Sequence, residues 1–71
     1  MKNILEQLRT DAGLTQQELA DRVDVSRQTI ISLESGRYNP SILLAFRIAK
    51  LFEKPIETIF LYEEESDHER T

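Results

Sequence analysis

The sequence predicts an all-α fold, a compact bundle of five short helices in a single domain. Three observations lead to this prediction. Polar capping residues recur before stretches whose apolar residues have the spacing of one helix face. Residues that favour strands are nearly confined to the N-terminus and residues 60–62, which we expect to form at most a small terminal β-ribbon. A chain of 71 residues is also short enough for one domain only.

The first helix is predicted to begin at Asn3, because Glu6 stands three residues later in the pattern of a capping box. Gly13 follows the last residue with helical spacing and is expected to end the helix. The apolar stripe of this helix consists of Ile4, Leu5, Leu8 and Ala12. We therefore expect these four side chains to face the core.

The second and third helices are predicted at residues 16–23 and 27–35, each after a capping hydroxyl. Thr15 precedes the second helix with Glu18 as its reciprocal cap, and Ser26 precedes the third helix. The expected inner residues are Leu19, Ala20, Val23, Val25, Ile30 and Leu33. Two helices this short, joined by about three residues, commonly cross near 90–120°, which is the geometry of a helix-turn-helix.

The fourth helix is predicted after Ser41 and is apolar almost all round, interrupted by only two basic residues. A helix of this kind is either central or faces two surfaces. Between Gly36, which should end the third helix, and Ser41 the sequence predicts a loop. Pro55 breaks the fourth helix and is expected to start a short fifth helix over residues 56–60.

The segment TQQELADRVDVSRQTIISLESGRYNPS resembles the helix-turn-helix of the Cro and phage-repressor superfamily, and most closely that of short bacterial regulators of the cytolysin-repressor type. The resemblance covers residues 2 to about 61. It implies a lambda-repressor-like DNA-binding domain whose third helix enters the major groove. The sequence departs from the pattern at Asp24, where relatives usually have glycine in a left-handed turn, and at Ile31 and Leu43, where relatives often have polar residues.

The resemblance also implies roles for matching residues. Arg27, Gln28 and Ser32 resemble base-reading residues, and Arg9 and Glu34 resemble a structural ion pair. The residues that resemble phosphate-binding or positioning groups are Thr15, Gln16, Gln17, Ser26, Thr29, Arg37, Tyr38 and Asn39. The side-chain chemistry agrees, because arginine makes a bidentate contact with guanine and glutamine a bidentate contact with adenine.

Other interpretations of these polar residues stay open. Gln16, Arg27 and Gln28 could be ordinary solvent-exposed residues. Arg37 could simply complement the C-terminal dipole of the third helix. The Tyr38 hydroxyl could make an interior contact instead of binding a phosphate. The Arg9–Glu34 pair is structural under every interpretation.

The charge of the chain is unevenly distributed. The formal net charge is −4, yet residues 1–61 hold eight basic and eight acidic residues, and residues 62–71 hold five acidic residues and one arginine. We therefore predict a neutral DNA-binding domain over residues 1–62 and an acidic, flexible tail over residues 63–71. Such a chain should bind non-specific DNA weakly and with a modest salt dependence, and the tail could weaken that binding by repelling phosphates.

A single domain of this kind contacts only a few base pairs, so we expect a two-fold homodimer that reads two half-sites. The apolar residues after Pro55 exceed what one small core needs. The predicted dimer interface consists of Pro55, Ile56, Ile59, Phe60, Leu61 and Tyr62.

The sequence thus predicts a DNA-binding transcriptional regulator, most simply a repressor that binds a palindromic operator as a homodimer. An antitoxin-like protein that covers a toxin and autoregulates its operon is one alternative, and a purely protein-binding module that has lost DNA binding is another.

We expect no enzyme, cofactor or metal, since no catalytic constellation is recognisable and His68 has no partner ligands. No signal peptide or membrane span is recognisable, which suggests a soluble cytoplasmic protein. The operator, the regulated genes and the sign of regulation are not encoded in any motif.

Overall fold

The computed structural model describes residues 2–61 of the chain. Five helices follow one another and a two-residue strand lies at each end of this range. The helices are α1 (Leu5–Asp11), α2 (Gln16–Val23), α3 (Arg27–Glu34), α4 (Ile42–Phe52) and α5 (Ile56–Ile59), and the strands are β1 (Lys2–Asn3) and β2 (Phe60–Leu61). The predicted five-helix fold is confirmed. Tyr62 and the predicted tail at 63–71 lie outside the described residues.

The two strands confirm the predicted terminal ribbon. They pair antiparallel, with Lys2 opposite Leu61 and Asn3 opposite Phe60. The backbone N–H of Ile4 extends this pairing by donating to the carbonyl of Ile59 at 2.9 Å. The ribbon therefore brings the two ends of the domain side by side.

The capping residues predicted for α2, α3 and α4 are confirmed. Thr15 Oγ1 accepts a hydrogen bond from the N–H of Glu18, whose carboxylate accepts one from the N–H of Thr15, so both halves of a capping box are present. Ser26 Oγ accepts from the N–H of Thr29, and Ser41 Oγ does the same at the start of α4. Each cap satisfies a backbone donor that its helix cannot pair.

The prediction for the start of α1 was wrong. The helix begins at Leu5, and its N-cap position is Ile4, whose side chain makes no capping hydrogen bond. Asn3 lies in β1 instead, where its Oδ1 accepts from the N–H of Leu5 and its Nδ2 donates to the carbonyl of Leu33 at 2.8 Å. Because the short helix ends at Asp11, Ala12 is an exposed C-cap rather than a core residue.

The core collects residues from every helix and from β2. Its buried apolar members are Leu5, Leu19, Ala20, Val23, Ile30, Leu33, Leu44, Ala45, Ile48, Ile59 and Phe60. Val25 is half-buried in the connection between α2 and α3 and packs against this cluster, as predicted. A core this small supplies only a few kcal/mol of net stability.

The burial of Ile59 and Phe60 corrects the predicted dimer interface. Ile59 is completely buried and Phe60 is 5% exposed, so both side chains fill the core of the single chain. Neither is available to a second subunit in this conformation. The sequence estimate of surplus apolar residues after Pro55 was therefore too high, because a domain of this size needs them to close its own core.

Helix α4 faces two surfaces, which was one of the two predicted possibilities. Leu44, Ala45 and Ile48 are buried against the other helices. On the opposite side Ile42 is 78%, Leu43 59% and Phe46 60% exposed. These three residues form an exposed apolar face, called the α4 face below. Among the described residues, no helix has the length and apolar character that crossing a membrane requires.

Replacing Ile48 by alanine should lower the free energy of unfolding by about 3 kcal/mol, because a fully buried side chain leaves a cavity when it is shortened. Urea unfolding followed by circular dichroism measures this change. Lys50→Ala is the matched control, since Lys50 is exposed on the same helix and should change the free energy by less than about 0.5 kcal/mol. Equal effects of the two substitutions would contradict the assigned core.

Candidate nucleic-acid interface

The three predicted base readers lie on the side of α3 that faces away from the core. Arg27 and Gln28 occupy the first turn of the helix and are exposed, while Ser32 lies one turn further on and is half-buried. Ile30 and Leu33 of the same helix point inward and are completely buried. The structure therefore places the three polar side chains together on one face.

The first turn of α3 presents several hydrogen-bond donors. The guanidinium of Arg27 and the amide of Gln28 form no hydrogen bond or ion pair with any of the described residues. Ser26 and Thr29 are occupied by capping, and their hydroxyl oxygens lie 3.0 Å apart. The free side chains can therefore meet the edges of bases, while the capped helix start favours a phosphate nearby.

The N-terminal end of α2 is attached to α3 through Gln16. The Gln16 amide nitrogen donates to Glu34 Oε1 at 3.1 Å. An amide nitrogen carries two hydrogens, so one stays available to an oxygen outside the protein. Gln17 instead donates to Asp21 of its own helix at 3.0 Å, and the Thr15 oxygen is taken up by the capping box. Of these three predicted phosphate contacts, Gln16 is the one joined to the recognition helix α3.

The carboxylate of Glu34 is the centre of a network that joins three helices. Arg9 of α1 donates from Nε to Oε2 at 2.6 Å and from Nη2 to Oε1 at 3.3 Å. Arg9 Nη1 also donates to the carbonyl of Leu14 at 2.9 Å. The side chains of Arg9 and Glu34 are only 11% and 6% exposed. The predicted Arg9–Glu34 pair therefore exists and is largely shielded from water.

Glu34 stabilises the charged form of Arg9. The hydrogen bond with Glu34 raises the pKa of Arg9 above its usual value, against the opposing effect of burial, and the negative charges of Glu34 and Glu6 add to the increase. Among the described residues, every buried polar side-chain atom has a hydrogen-bond partner. The network is therefore complete, which is the condition under which a buried ion pair helps to fix one arrangement of helices.

The turn between α2 and α3 is supported by Arg47, whose role the sequence interpretation missed. Asp24 adopts the left-handed conformation with φ of 63°, as expected where relatives have glycine. Arg47 of α4 donates to the carbonyl of Val23 at 3.2 Å and lies 3.9 Å from the Asp24 carboxylate. Arg47 is one of the two cations that interrupt this apolar helix, and that was the available signal, but its partner Val23 lies 24 positions away in the chain.

The loop after α3 leads directly from the recognition helix to α4. Gly36 has φ of 82°, and the N–H of Arg37 donates to the carbonyl of Ser32 at 3.2 Å. The side chains of Arg37, Tyr38 and Asn39 are exposed, and Tyr38 is 43% accessible. The structure therefore leaves all three within reach of an external phosphate, and their predicted role in binding it stays a prediction.

The outward side of α3 therefore carries unpaired donors, and the hydrogen-bond network of Glu34 fixes the helix to α1 and α2. This arrangement suits recognition of a groove by side chains and of a backbone by amides and cations. Among the residues that the structure describes, no group of three or more histidine or acidic side chains is placed to hold a metal ion.

Comparison with known proteins gives concordant matches. The profile of the helix-turn-helix family HTH_3 matches residues 5–59, which include all five helices. An HTH-type transcriptional regulator of Methanocaldococcus jannaschii is 54% identical over 65 residues, which cover 92% of this chain and 98% of that protein. A regulator of the same description from Methanothermobacter thermautotrophicus is 53% identical over 66 residues, covering 92% and 96%. The HTH-type transcriptional regulator YgzD of Bacillus subtilis is 44% identical over 66 residues, covering 93% and 100%.

Replacing Glu34 by glutamine should lower the free energy of unfolding by about 3 kcal/mol, because it leaves the shielded Arg9 without its countercharge. Urea unfolding at constant protein concentration measures the loss. Glu57→Gln is the matched control, since Glu57 is exposed and should change stability by less than about 0.5 kcal/mol. If the two variants unfolded at the same urea concentration, the network would not stabilise the fold.

Proposed function

The chain belongs to the helix-turn-helix family HTH_3 and is a transcriptional regulator of this type, and from that premise we propose that it represses transcription by binding a palindromic operator as a homodimer. One observation supports the DNA-binding part of this proposal most strongly. Arg27 and Gln28 are exposed and unpartnered on the first turn of a helix that the Glu34 network holds from behind. Residues with free donors on a fixed helix are what base recognition requires.

In the proposed complex, α3 enters the major groove with its N-terminal end foremost. Arg27 donates two hydrogen bonds to O6 and N7 of a guanine, and Gln28 pairs with N6 and N7 of an adenine. Ser32, one turn along, contacts a further base edge, and the half-buried Ile31 lies between them and can meet a thymine methyl group. Each good bidentate pair contributes about 1–3 kcal/mol of discrimination between bases.

Phosphate contacts on both sides of α3 set its position in the groove. At the start of α2, Gln16 uses its second amide hydrogen for a phosphate while the first holds Glu34. Beyond the end of α3, the exposed loop of Arg37, Tyr38 and Asn39 binds the neighbouring backbone. Contacts of this kind determine orientation and affinity but contain no information about sequence.

A dimer is proposed because one domain reads too few base pairs to be selective in a genome, whereas two domains about one helical turn apart read twice as many. The exposed α4 face is the surface that supports it. It borders a groove of about 340 Å³ whose walls include Pro40, Phe46 and Ile56. Because Ile59 and Phe60 are buried, the interface is proposed at this face, with the half-buried Ile56 at its edge, rather than at the end of the domain.

Repression follows from position alone in this proposal. A bound dimer that covers a promoter excludes RNA polymerase, and this needs no surface beyond the DNA-binding one. The same role implies that the protein works in the cytoplasm, where prokaryotic relatives keep their DNA. Transcription in vitro from a template that contains the selected operator tests whether the protein represses or activates. Less transcript in the presence of the protein supports repression, and more transcript would show activation instead.

Selection of bound sites from a pool of random duplexes should yield a palindrome with guanine and adenine at the positions that Arg27 and Gln28 meet. Arg27→Ala and Gln28→Ala should each relax the preference at one position per half-site and cost about 1–3 kcal/mol of discrimination. Gln16→Ala should weaken binding to all sequences alike.

Gln7→Ala is the control for these variants, since Gln7 is an exposed glutamine on α1 whose side chain bonds to Asp11 alone among the described residues. It should leave both the selected sequence and the affinity unchanged. A pool that yields no preferred sequence, with the unmodified protein folded, would contradict sequence-specific DNA binding.

The dimer is tested separately by light scattering at micromolar concentration. Phe46→Glu should shift the mass from dimer to monomer, because it places a charge in the proposed apolar interface. Ala12→Glu places the same charge at Ala12, the exposed C-cap residue that follows α1, and should leave the mass unchanged. A monomeric mass for the unmodified protein, both alone and with operator DNA, rules out the dimer.

A further inference from the structure

A shallow hollow of about 460 Å³ lies between the terminal ribbon and the C-terminal end of α3. Its walls are Lys2, Asn3, Glu34, Ser35, Gly36 and Leu61. The hydrogen bond from Asn3 Nδ2 to the carbonyl of Leu33 fastens the ribbon to the helix at this point. Leu61, the last described residue, pairs with Lys2 and lines the same hollow as Gly36, which directly precedes Arg37.

The surface next to this hollow is cationic and open. The guanidinium of Arg37 is exposed and forms no hydrogen bond or ion pair with any described residue, and the same is true of the guanidinium of Arg27 at the other end of α3. Arg27 and Arg37 lie at or just beyond the two ends of α3, an eight-residue helix that is about 12 Å long. Glu34 adds no unbalanced negative charge there, because Arg9 neutralises it.

The chain that continues from Leu61 has the opposite charge. Glu63, Glu64 and Glu65 follow at once, and Asp67 and Glu69 come shortly after. An extended chain spans about 3.3 Å per residue, so the first three acids lie within about 13 Å of Leu61 along the chain. A charged segment tethered at this distance has an effective concentration in the millimolar range at its target.

We propose that the acidic segment 63–69 binds the Arg37 loop of its own chain and thereby competes with DNA phosphates for the interface. This inference rests on the proposed DNA-binding function. The segment offers carboxylates to Arg37 but nothing that replaces base contacts. It therefore weakens the binding of non-specific DNA more than the binding of an operator. Non-specific DNA binds through its phosphates alone, whereas an operator also gains the base contacts of Arg27 and Gln28.

Direct binding at Arg37 differs from general repulsion by the segment in a measurable way. The triple substitution Glu63→Gln, Glu64→Gln and Glu65→Gln should tighten binding to a random duplex at low salt by about threefold or more, and the operator by less. With Arg37→Ala already present, the same triple substitution should produce little further change, because the competed contact no longer exists.

Lys50→Ala is the matched background for this cycle. It also removes one exposed positive charge, but Lys50 lies in a hollow with Val23 and Asp24, which precede α3 rather than follow it. In that background the triple substitution should tighten binding as much as in the unmodified chain. Equal tightening in the Arg37→Ala background would overturn the proposal in favour of repulsion, and no tightening in any background would overturn it outright.

A measurement without DNA separates this inference from the proposed function. In ¹⁵N–¹H correlation spectra of the free protein, the triple substitution should shift the amides of residues 36–39 and leave those around Lys50 unchanged. Unshifted amides at 36–39 overturn the docking proposal whether or not the protein binds DNA. If the amides shift but the protein binds no duplex, the docking contact is supported and only the proposed regulator function is contradicted.

Discussion

The carboxylate of Glu34 holds three helices together, and the position of the recognition helix depends on it. It accepts hydrogen bonds from Arg9 of α1 and from Gln16 of α2 while belonging to α3. Apolar packing is not directional, so the small core by itself permits sliding and rotation between short helices. The network supplies the direction, because each of its bonds requires one particular arrangement of donor and acceptor.

The same network connects the fold to the site. Gln16 belongs both to the Glu34 network that holds α3 and to the surface at which a phosphate is proposed to bind. At the opposite end of α3, Arg47 reaches from α4 to the carbonyl of Val23 and to the left-handed Asp24. The recognition helix is therefore fixed from α1, α2 and α4, which leaves its outward side chains free without leaving the helix itself loose.

The size of the domain explains where its apolar residues go. A chain of 71 residues has little material for a core, and Ile59 of α5 and Phe60 of β2 complete it. The three most exposed large apolar residues, Ile42, Leu43 and Phe46, lie together on α4, next to the loop that follows the recognition helix. An interface at that face would therefore adjoin the DNA-binding surface, so that subunit contact and phosphate contact share one short segment of chain.

The sequence by itself determined the number of helices, most of their caps, the terminal ribbon and the grouping of Arg27, Gln28 and Ser32, because these follow from local spacing and from turn chemistry. Its resemblance to a known superfamily also identified the Arg9–Glu34 pair. Only the tertiary structure decided that Asn3 fastens a strand to α3, that Arg47 supports the turn, and that Ile59 and Phe60 belong to the core while Ile42, Leu43 and Phe46 do not. The reason is physical: a cap is a contact between near neighbours in the chain, whereas burial depends on which distant segment arrives to cover a side chain.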